Sequence, residues 1–151
     1  MMTQFELFSE QQLNPIQDIM DVIRQRNVKM ECTFLERTET PINTNQGSIL
    51  YMDKWQCAIW SDGGHVSTQF SLGTGYAGRQ PLIPEVLNGL AMDAQCARDT
   101  MGINEFMSEY GYEDEDEAYK VMRACLDSHT KMLVLFGGEL TERMIYEMEI
   151  E

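Results

Sequence analysis

The sequence predicts an α+β fold in which an antiparallel sheet is packed by three or four helices. Two observations support this prediction. The first half of the chain alternates apolar and polar residues, which is typical of strands, and Asp62-Gly63 separates two such runs as in a tight hairpin. The second half repeats apolar residues at helical spacing. Because the 151 residues contain no repeat and no linker, residues 1–151 are expected to form a single domain.

The first predicted element is a helix. Asn14-Pro15 is typical of a helix start, because Asn caps the free backbone N–H groups and Pro fits the first turn. Apolar residues then recur at helical spacing up to about Arg26, at Ile16, Ile19, Met20 and Ile23.

Three strands are predicted to follow as a meander. The first covers residues 28–34 and leads into a predicted loop over residues 38–47, which is rich in turn-forming residues. The second covers residues 49–59, interrupted only by Asp53, and the third covers residues 66–72. Side chains of one parity are expected to face the core, namely Trp55, Cys57, Ile59, Val66, Phe70 and Leu72.

Helices are predicted over the second half. An apolar stripe covers residues 83–94, a short helix covers residues 103–110 before Gly111, and the longest covers residues 114–136 before Gly137-Gly138. Over residues 141–150 two patterns compete. Met144, Ile145 and Met148 suit a helix, but the alternation of Met144, Tyr146, Met148 and Ile150 favours a fourth strand at the edge of the sheet.

The charge is unevenly divided along the chain. The net charge of −14 excludes direct binding to nucleic acid, since the phosphate backbone attracts basic surfaces. Residues 1–80 carry 9 acids and 6 bases, a net charge of −3, whereas residues 81–151 carry 16 acids and 5 bases, a net charge of −11. The acidity therefore belongs to the helical half.

Part of this charge is expected to be compensated within helices. Three acid-to-base pairs lie four residues apart, namely Asp116–Lys120, Asp127–Lys131 and Glu139–Arg143. Nine acids are interpreted as having no basic ion-pair partner at helical spacing: Glu85, Asp93, Glu105, Glu109, Glu113, Glu115, Glu147, Glu149 and Glu151. For residues 113–117 helix-start chemistry is one interpretation, with Asp114 as the cap and Glu117 completing a capping box. For the other acids the competing interpretation is solubility.

The functional interpretation is an acidic face that imitates DNA. Closely spaced carboxylates on a helix resemble the charge spacing of duplex DNA, so a basic groove would bind them in place of its substrate. The candidate partner-binding residues are Glu105, Glu109, Tyr110, Tyr112, Glu113, Asp114, Glu115, Asp116 and Glu117. Phe106 and Tyr119 lie among them but are expected in the core.

A second candidate site is a glycine-rich loop. Residues 73–78 match the GxGxxG pattern of nucleotide-binding loops, but neither a parallel strand nor an adjacent helix start supports that role. Positive backbone dihedrals at these glycines are the simpler interpretation. The alternative ligand-binding residues are Gly73, Gly75, Gly78, Arg79 and His65.

Other chemistry is not indicated. The two histidines, His65 and His129, are interpreted as structural, so no catalytic residue, metal site or cofactor is predicted and the protein is expected not to be an enzyme. The four cysteines form no CxxC pair and are interpreted as buried thiols of a reducing compartment. Without a signal sequence or an apolar run of about 18 residues, a cytoplasmic location and no membrane contact are expected.

Residues 55–138 resemble a group of small uncharacterised proteins of tailed bacteriophages and prophages. The resemblance rests on the order of short blocks at residues 70–75, 84–87, 105–106, 109–112, 118–119, 124–125, 131–133 and 136–137. The chain departs from that group at the acidic residues 113–117. The resemblance implies a phage protein that binds and blocks a nucleic-acid-handling defence protein of the host, of the restriction or CRISPR type. Two alternatives stay open: a small-ligand or nucleotide-binding protein or enzyme using the glycine-rich loop, and an accessory factor in phage replication or assembly.

Overall fold

A computed structural model of the chain describes residues 15–43, 48–73 and 75–150. Within these residues the sheet consists of β1 (Lys29–Asn43), β2 (Ser48–Ser61) and β3 (Gly64–Gly73). The helices are α1 (Pro15–Gln25), α2 (Ile83–Asp99), α3 (Ile103–Tyr110), α4 (Glu115–Phe136) and α5 (Gly138–Ile150). The α+β class is confirmed, but the described residues contain five helices and not three or four.

The sheet is the predicted antiparallel meander, in the order β1-β2-β3. Cys32 lies opposite Cys57, and Trp55 lies opposite Phe70. The Asp62-Gly63 hairpin is confirmed, because Ser61 pairs with Gly64 across it.

The first two strands are longer than predicted. Pairing continues to Asn43 opposite Ser48, so the predicted loop over residues 38–47 was wrong for residues 38–43, while residues 44–47 lie outside the described part. Two physical reasons account for the difference. Thr38 and Thr40 are β-branched and suit strands, and Pro41 is tolerated because β1 is an edge strand.

The β2–β3 hairpin is fastened to the end of α4. The Ser61 hydroxyl donates to the Leu135 carbonyl at 2.6 Å and accepts from the Gly63 backbone N–H at 3.0 Å. The Arg26 guanidinium donates to the Phe136 carbonyl at 3.1 Å. A Cβ at Gly64 would lie 2.7 Å from a methyl carbon of Val134, so the close approach requires glycine there.

The helices cover one face of the sheet, and the core lies between the two layers. β2 contributes Trp55, Cys57 and Ile59, which are buried as predicted. On β3 Leu72 is buried, and Val66 and Phe70 pack against the core while partly exposed. The helices contribute most of the remaining buried residues, among them Leu87, Leu90, Ala91, Met132, Leu135, Phe136, Met144 and Ile145.

The fourth strand predicted at residues 141–150 was wrong, since this segment forms α5. Thr141, Met144 and Ile145 are buried on one side of the helix, whereas Tyr146 is 61% exposed. The alternation is therefore coincidental, and the helical pattern of the same residues is the one that packs. Helix α5 packs on α1, α2 and α4, away from the edges of the sheet.

The ends of the other helices follow the predicted signals. Pro15 begins α1, and its predicted cap, Asn14, lies outside the described residues. Gly111 ends α3 in the left-handed conformation with φ of 76°, and Gly137 ends α4 with φ of 80°. Asp114 caps α4 by accepting from the Asp116 backbone N–H at 3.0 Å.

Candidate functional site

The turn between α3 and α4 positions the predicted acidic face. The backbone N–H groups of Gly111 and Tyr112 both donate to the Met107 carbonyl, each at 3.0 Å. Gly111 ends α3 in the left-handed conformation, which its lack of a Cβ permits, and four residues separate α3 from α4. The acids at the end of α3 and those at the start of α4 therefore lie on either side of one turn.

An aromatic cluster supports this turn. The Phe106 ring is buried as predicted, with the Tyr112 ring stacked on it at a centroid distance of 5.7 Å and the Tyr110 ring at 4.8 Å. A hydrogen bond with the Cys96 thiol of α2, together with burial, raises the pKa of Tyr110 to about 12. These contacts tie the turn to α2. The expectation that Tyr119 lies in the core was wrong, since that residue is 41% exposed.

Two acids of α3 and five at or next to the start of α4 lie on either side of the turn, and we call them the acidic corner: Glu105, Glu109, Glu113, Asp114, Glu115, Asp116 and Glu117. All seven are exposed, and within the described ranges none of them forms an ion pair. Buried Ala118 fixes the first turn of α4 on the protein. A surface groove of about 600 Å³ follows this end of the helix, lined by Asp114, Asp116, Glu117, Lys120, Val121 and Ala124.

Outside the corner, most of the acids that were predicted to lack a basic partner do form an ion pair. Glu85 pairs with Arg79, Glu147 with Arg143 and Glu149 with Arg98. Arg143 lies four residues before Glu147, a pairing missed because the segment was predicted as a strand. Of the three predicted pairs, Asp127–Lys131 forms at 3.2 Å. In the described part of the chain, the charged groups of Asp116 and Lys120, and those of Glu139 and Arg143, are not within 4 Å of each other, so those two predictions were wrong.

The glycine-rich loop is docked on the sheet by the buried carboxylate of Asp53, which in the sequence only interrupts the alternation of β2. Asp53 is 1% exposed and accepts two hydrogen bonds from the guanidinium of Arg37, at 2.6 and 2.9 Å. Its second oxygen also accepts from the Gly78 backbone N–H at 2.7 Å. The hydrogen bonds from Arg37 lower the pKa of Asp53, against the opposing effect of burial. We call Arg37, Asp53 and Gly78 the loop junction.

Arg79, the predicted anion ligand of this loop, is already engaged. Its guanidinium forms a two-pronged pair with Glu85, at 2.9 and 2.8 Å, and lies 5.2 Å from the centroid of the Tyr76 ring. Glu85 in turn accepts from the Leu82 backbone N–H at 2.9 Å, which satisfies one free donor at the start of α2. The pair with Arg79 is the main reason why the pKa of Glu85 is lowered.

The structure does not bring the alternative ligand-binding residues together. His65 is the second residue of β3 and Gly73 is the last, so the two lie about 26 Å apart at a rise of 3.3 Å per residue. Gly75 and Gly78 adopt positive φ of 98° and 97°, which agrees with the interpretation of these glycines as turn residues. The loop's N–H at Gly78 and its guanidinium at Arg79 are both directed to carboxylates of the chain itself.

The thiols agree with a structural role. All four cysteines are free, with Cys57 and Cys125 buried and Cys32 and Cys96 partly so. Burial raises the pKa of Cys57 to about 12 and of Cys125 to about 11, so both stay protonated near neutral pH. Among the described residues there is no cluster of three or more His, Cys, Asp or Glu side chains that would hold a metal ion. No described helix has the length and apolar character needed to cross a bilayer.

Together, the fold and the candidate site define a small α+β protein with an unpaired acidic corner at one helix turn. Comparison of the chain with models of known families, with characterised proteins and with solved structures gives no significant match.

Proposed function

We propose that this protein binds the basic nucleic-acid-binding surface of another protein through its acidic corner, and blocks that surface. One observation supports this most directly. Seven exposed carboxylates are grouped at the corner without an ion pair among the described residues, although other acids of the helical half are paired with Arg. A surface built only for solubility has no need to concentrate its unpaired charge at one place.

The spacing of these charges suits a site that binds DNA. Glu115, Asp116 and Glu117 are consecutive residues of a helix, which rises about 1.5 Å per residue. Duplex DNA presents about one negative charge per 1.7 Å of its axis. A basic groove that attracts DNA would therefore attract this end of α4, and encounter would be fast because the potentials are complementary.

Three exposed or half-exposed tyrosines would supply contact beyond charge. Tyr110 is 42% exposed and Tyr119 is 41% exposed, while Tyr112 is partly buried. Tyr110 and Tyr112 are held by Phe106, so little side-chain freedom would be lost on binding. Tyrosine is enriched among the residues that dominate binding energy at protein interfaces.

The class of partner follows from the resemblance to bacteriophage proteins. A phage gains from blocking host enzymes that recognise or cut its nucleic acid, and such effectors hold nucleic acid in positively charged channels. The proposed partner is accordingly a restriction or CRISPR effector of the host, or another protein with a basic nucleic-acid groove. In this proposal the protein acts by occupancy, with no chemical step and no cofactor.

The test is displacement of DNA from such effectors. A fluorescent DNA duplex is bound to each member of a panel of purified restriction and CRISPR effectors, and this protein is titrated in while the anisotropy of the duplex is followed. We expect release of DNA from at least one effector. Release should weaken at least tenfold for the triple variant Glu113→Gln, Glu115→Gln and Glu117→Gln, because the attraction would be lost.

A matched control separates this site from overall charge. The variant Asp127→Asn, Glu139→Gln and Glu142→Gln removes an equal number of negative charges, from exposed positions of the helical half outside the corner. It should release DNA as the natural chain does. The proposal is wrong if no effector of the panel releases its DNA. It is also wrong if both triple variants release DNA equally well and added salt does not weaken binding to the effector.

A further inference from the structure

Among the described residues, no strand pairs with the outer edge of β3. β3 pairs with β2 alone, and within the described residues no backbone hydrogen bond joins residues 65–72 to any other segment. The edge therefore presents backbone N–H and C=O groups that another extended chain can use. A strand added here would lie about 4.8 Å away, in the plane of the sheet.

A groove runs between this edge and α2. Its cavity of about 220 Å³ is lined mainly by Thr68, Phe70, Val86, Gly89, Leu90 and Asp93. Gly89 lets α2 approach the sheet, since a Cβ there would lie 3.3 Å from the Phe70 ring. The volume is below the range of about 300–1,000 Å³ that is usual for small-molecule sites. The cavity therefore fits one apolar side chain and not a whole metabolite.

Asp93 gives one end of the groove a negative charge. Its carboxylate accepts from the Ser128 hydroxyl at 3.3 Å, and in the described part of the chain it forms no ion pair. Burial raises its pKa, opposed by the hydrogen bond from Ser128 and by the charge of Lys131. The side-chain hydrogen bond to this carboxylate comes from a neutral hydroxyl, so a Lys or Arg side chain from outside would stabilise its negative charge further.

The groove also leads towards the acidic corner. Asp93 is followed one helical turn later on α2 by Cys96, whose thiol meets the hydroxyl of Tyr110 at the end of α3. A bound segment that leaves the groove past Asp93 would therefore continue towards the carboxylates of the corner.

We propose that this groove binds an extended segment of the partner protein as a fourth strand on β3, with an apolar side chain in the cavity and a Lys or Arg beside Asp93. Main-chain pairing would supply affinity, and the pocket and Asp93 would supply specificity, as in other proteins that add a strand to a sheet edge. The inference rests on the proposed function for the existence of a basic partner, but not on the acidic corner as the means of binding.

A yeast-displayed library of random short peptides, sorted against the whole protein, tests this assignment. We expect the enriched peptides to place apolar residues at every second position, as in a strand, and to carry Lys or Arg at the position that lies beside Asp93. The variant Asp93→Lys should reverse the preference to Asp or Glu at the same position, which a merely structural Asp93 would not do. Asp127→Asn, at an exposed position on α4, is the control and should leave the selection unchanged. Failure to enrich any peptides, or an identical selection by Asp93→Lys, would overturn the inference.

Amide hydrogen exchange of the free protein distinguishes other occupants. With the groove open, the outward-pointing amides of β3 should exchange quickly and at a rate independent of protein concentration. Protection in the monomer would mean that the chain's own residues 1–14 cover the edge, and protection that grows with concentration would mean a second copy. Either result overturns the proposal.

The two proposals fail separately. The triple variant Glu113→Gln, Glu115→Gln and Glu117→Gln should weaken release of DNA at least tenfold and leave selection of short peptides intact. If the natural chain releases DNA while its groove selects nothing, only the groove is wrongly assigned. If the groove selects basic peptides while no effector releases DNA, only the acidic corner is wrongly assigned.

Discussion

The loop junction and the acidic corner treat the same functional group in opposite ways. At the junction the Asp53 carboxylate is buried and accepts from Arg37 and from Gly78. At the corner seven carboxylates are exposed, and among the described residues none has a cationic partner. Net charge alone therefore does not identify a binding site. What matters is where the bases lie, because a paired carboxylate stabilises the fold and an unpaired one is available to a partner.

The largest expected effect comes from breaking the junction. Arg37→Met leaves Asp53 buried with Gly78 as its remaining hydrogen-bond donor, so the melting temperature should fall by several degrees in differential scanning calorimetry. Adding Asp53→Leu to Arg37→Met should restore part of the loss, because the unpaired charge disappears. Arg24→Met, which breaks the pair with Asp21, is the control and should change the melting temperature little. A double variant less stable than Arg37→Met would contradict this account.

The junction and the Arg79–Glu85 pair should also make the stability of the fold depend on pH in the acidic range. The folded-state pKa values of Asp53 and Glu85 are lowered mainly by their Arg partners. Groups with lowered pKa values stabilise the fold fully above their unfolded pKa values, near pH 4, and lose that contribution as pH falls through their folded pKa values. Urea unfolding from pH 7 to pH 2 should therefore show stability falling below about pH 4. The fall should be shallower in the double variant Asp53→Asn and Glu85→Gln, and an equally steep fall would refute the assignment.

A smaller effect is expected at the start of α2. Glu85→Gln weakens both the pair with Arg79 and the hydrogen bond from the Leu82 backbone N–H, and it should cost about 1 kcal/mol of unfolding free energy. Equilibrium denaturation in urea measures this loss. Glu105→Gln, an acid in the first turn of α3, serves as the control and should cost less. Equal losses would remove the special role of the Arg79 pair.

The smallest effect on stability is expected at the corner itself. Replacing Glu113, Glu115 and Glu117 with Gln removes mutual repulsion but also removes favourable interactions with the start of α4. These contributions oppose each other, so unfolding free energy should change by less than about 1 kcal/mol, while release of DNA weakens at least tenfold. Urea denaturation and the displacement titration check the two halves of this prediction. Loss of stability comparable to that of Arg37→Met would make the corner a structural feature.

Local patterns predicted most of the architecture. The hairpin at Asp62-Gly63, the stop at Gly111 and the cap at Asp114 were predicted because each depends on a few adjacent residues. The failure at residues 141–150 had a physical cause. Alternating and helical patterns overlapped there, and burial of Met144 and Ile145 against other helices selected the helix.

The candidate sites were predictable to different degrees. The acids of the corner are nearly contiguous in sequence, so their grouping was visible, although their lack of ion pairs was not. The loop junction was missed, since Arg37, Asp53 and Gly78 are far apart in sequence and meet through strand register and a loop. One signal was present: Asp53 shares the parity of Trp55 and Cys57, which placed a carboxylate on the buried face.

Periodicity, turn residues and local charge along the chain are enough to predict the class of fold, the strand order and the concentration of acid in the second half. Three further features became visible only in the folded chain: which carboxylates are neutralised, that the last segment is a helix, and that a groove separates β3 from α2. Those outcomes depend on contacts between residues that are distant in sequence, and such contacts arise when the helical layer packs on the sheet.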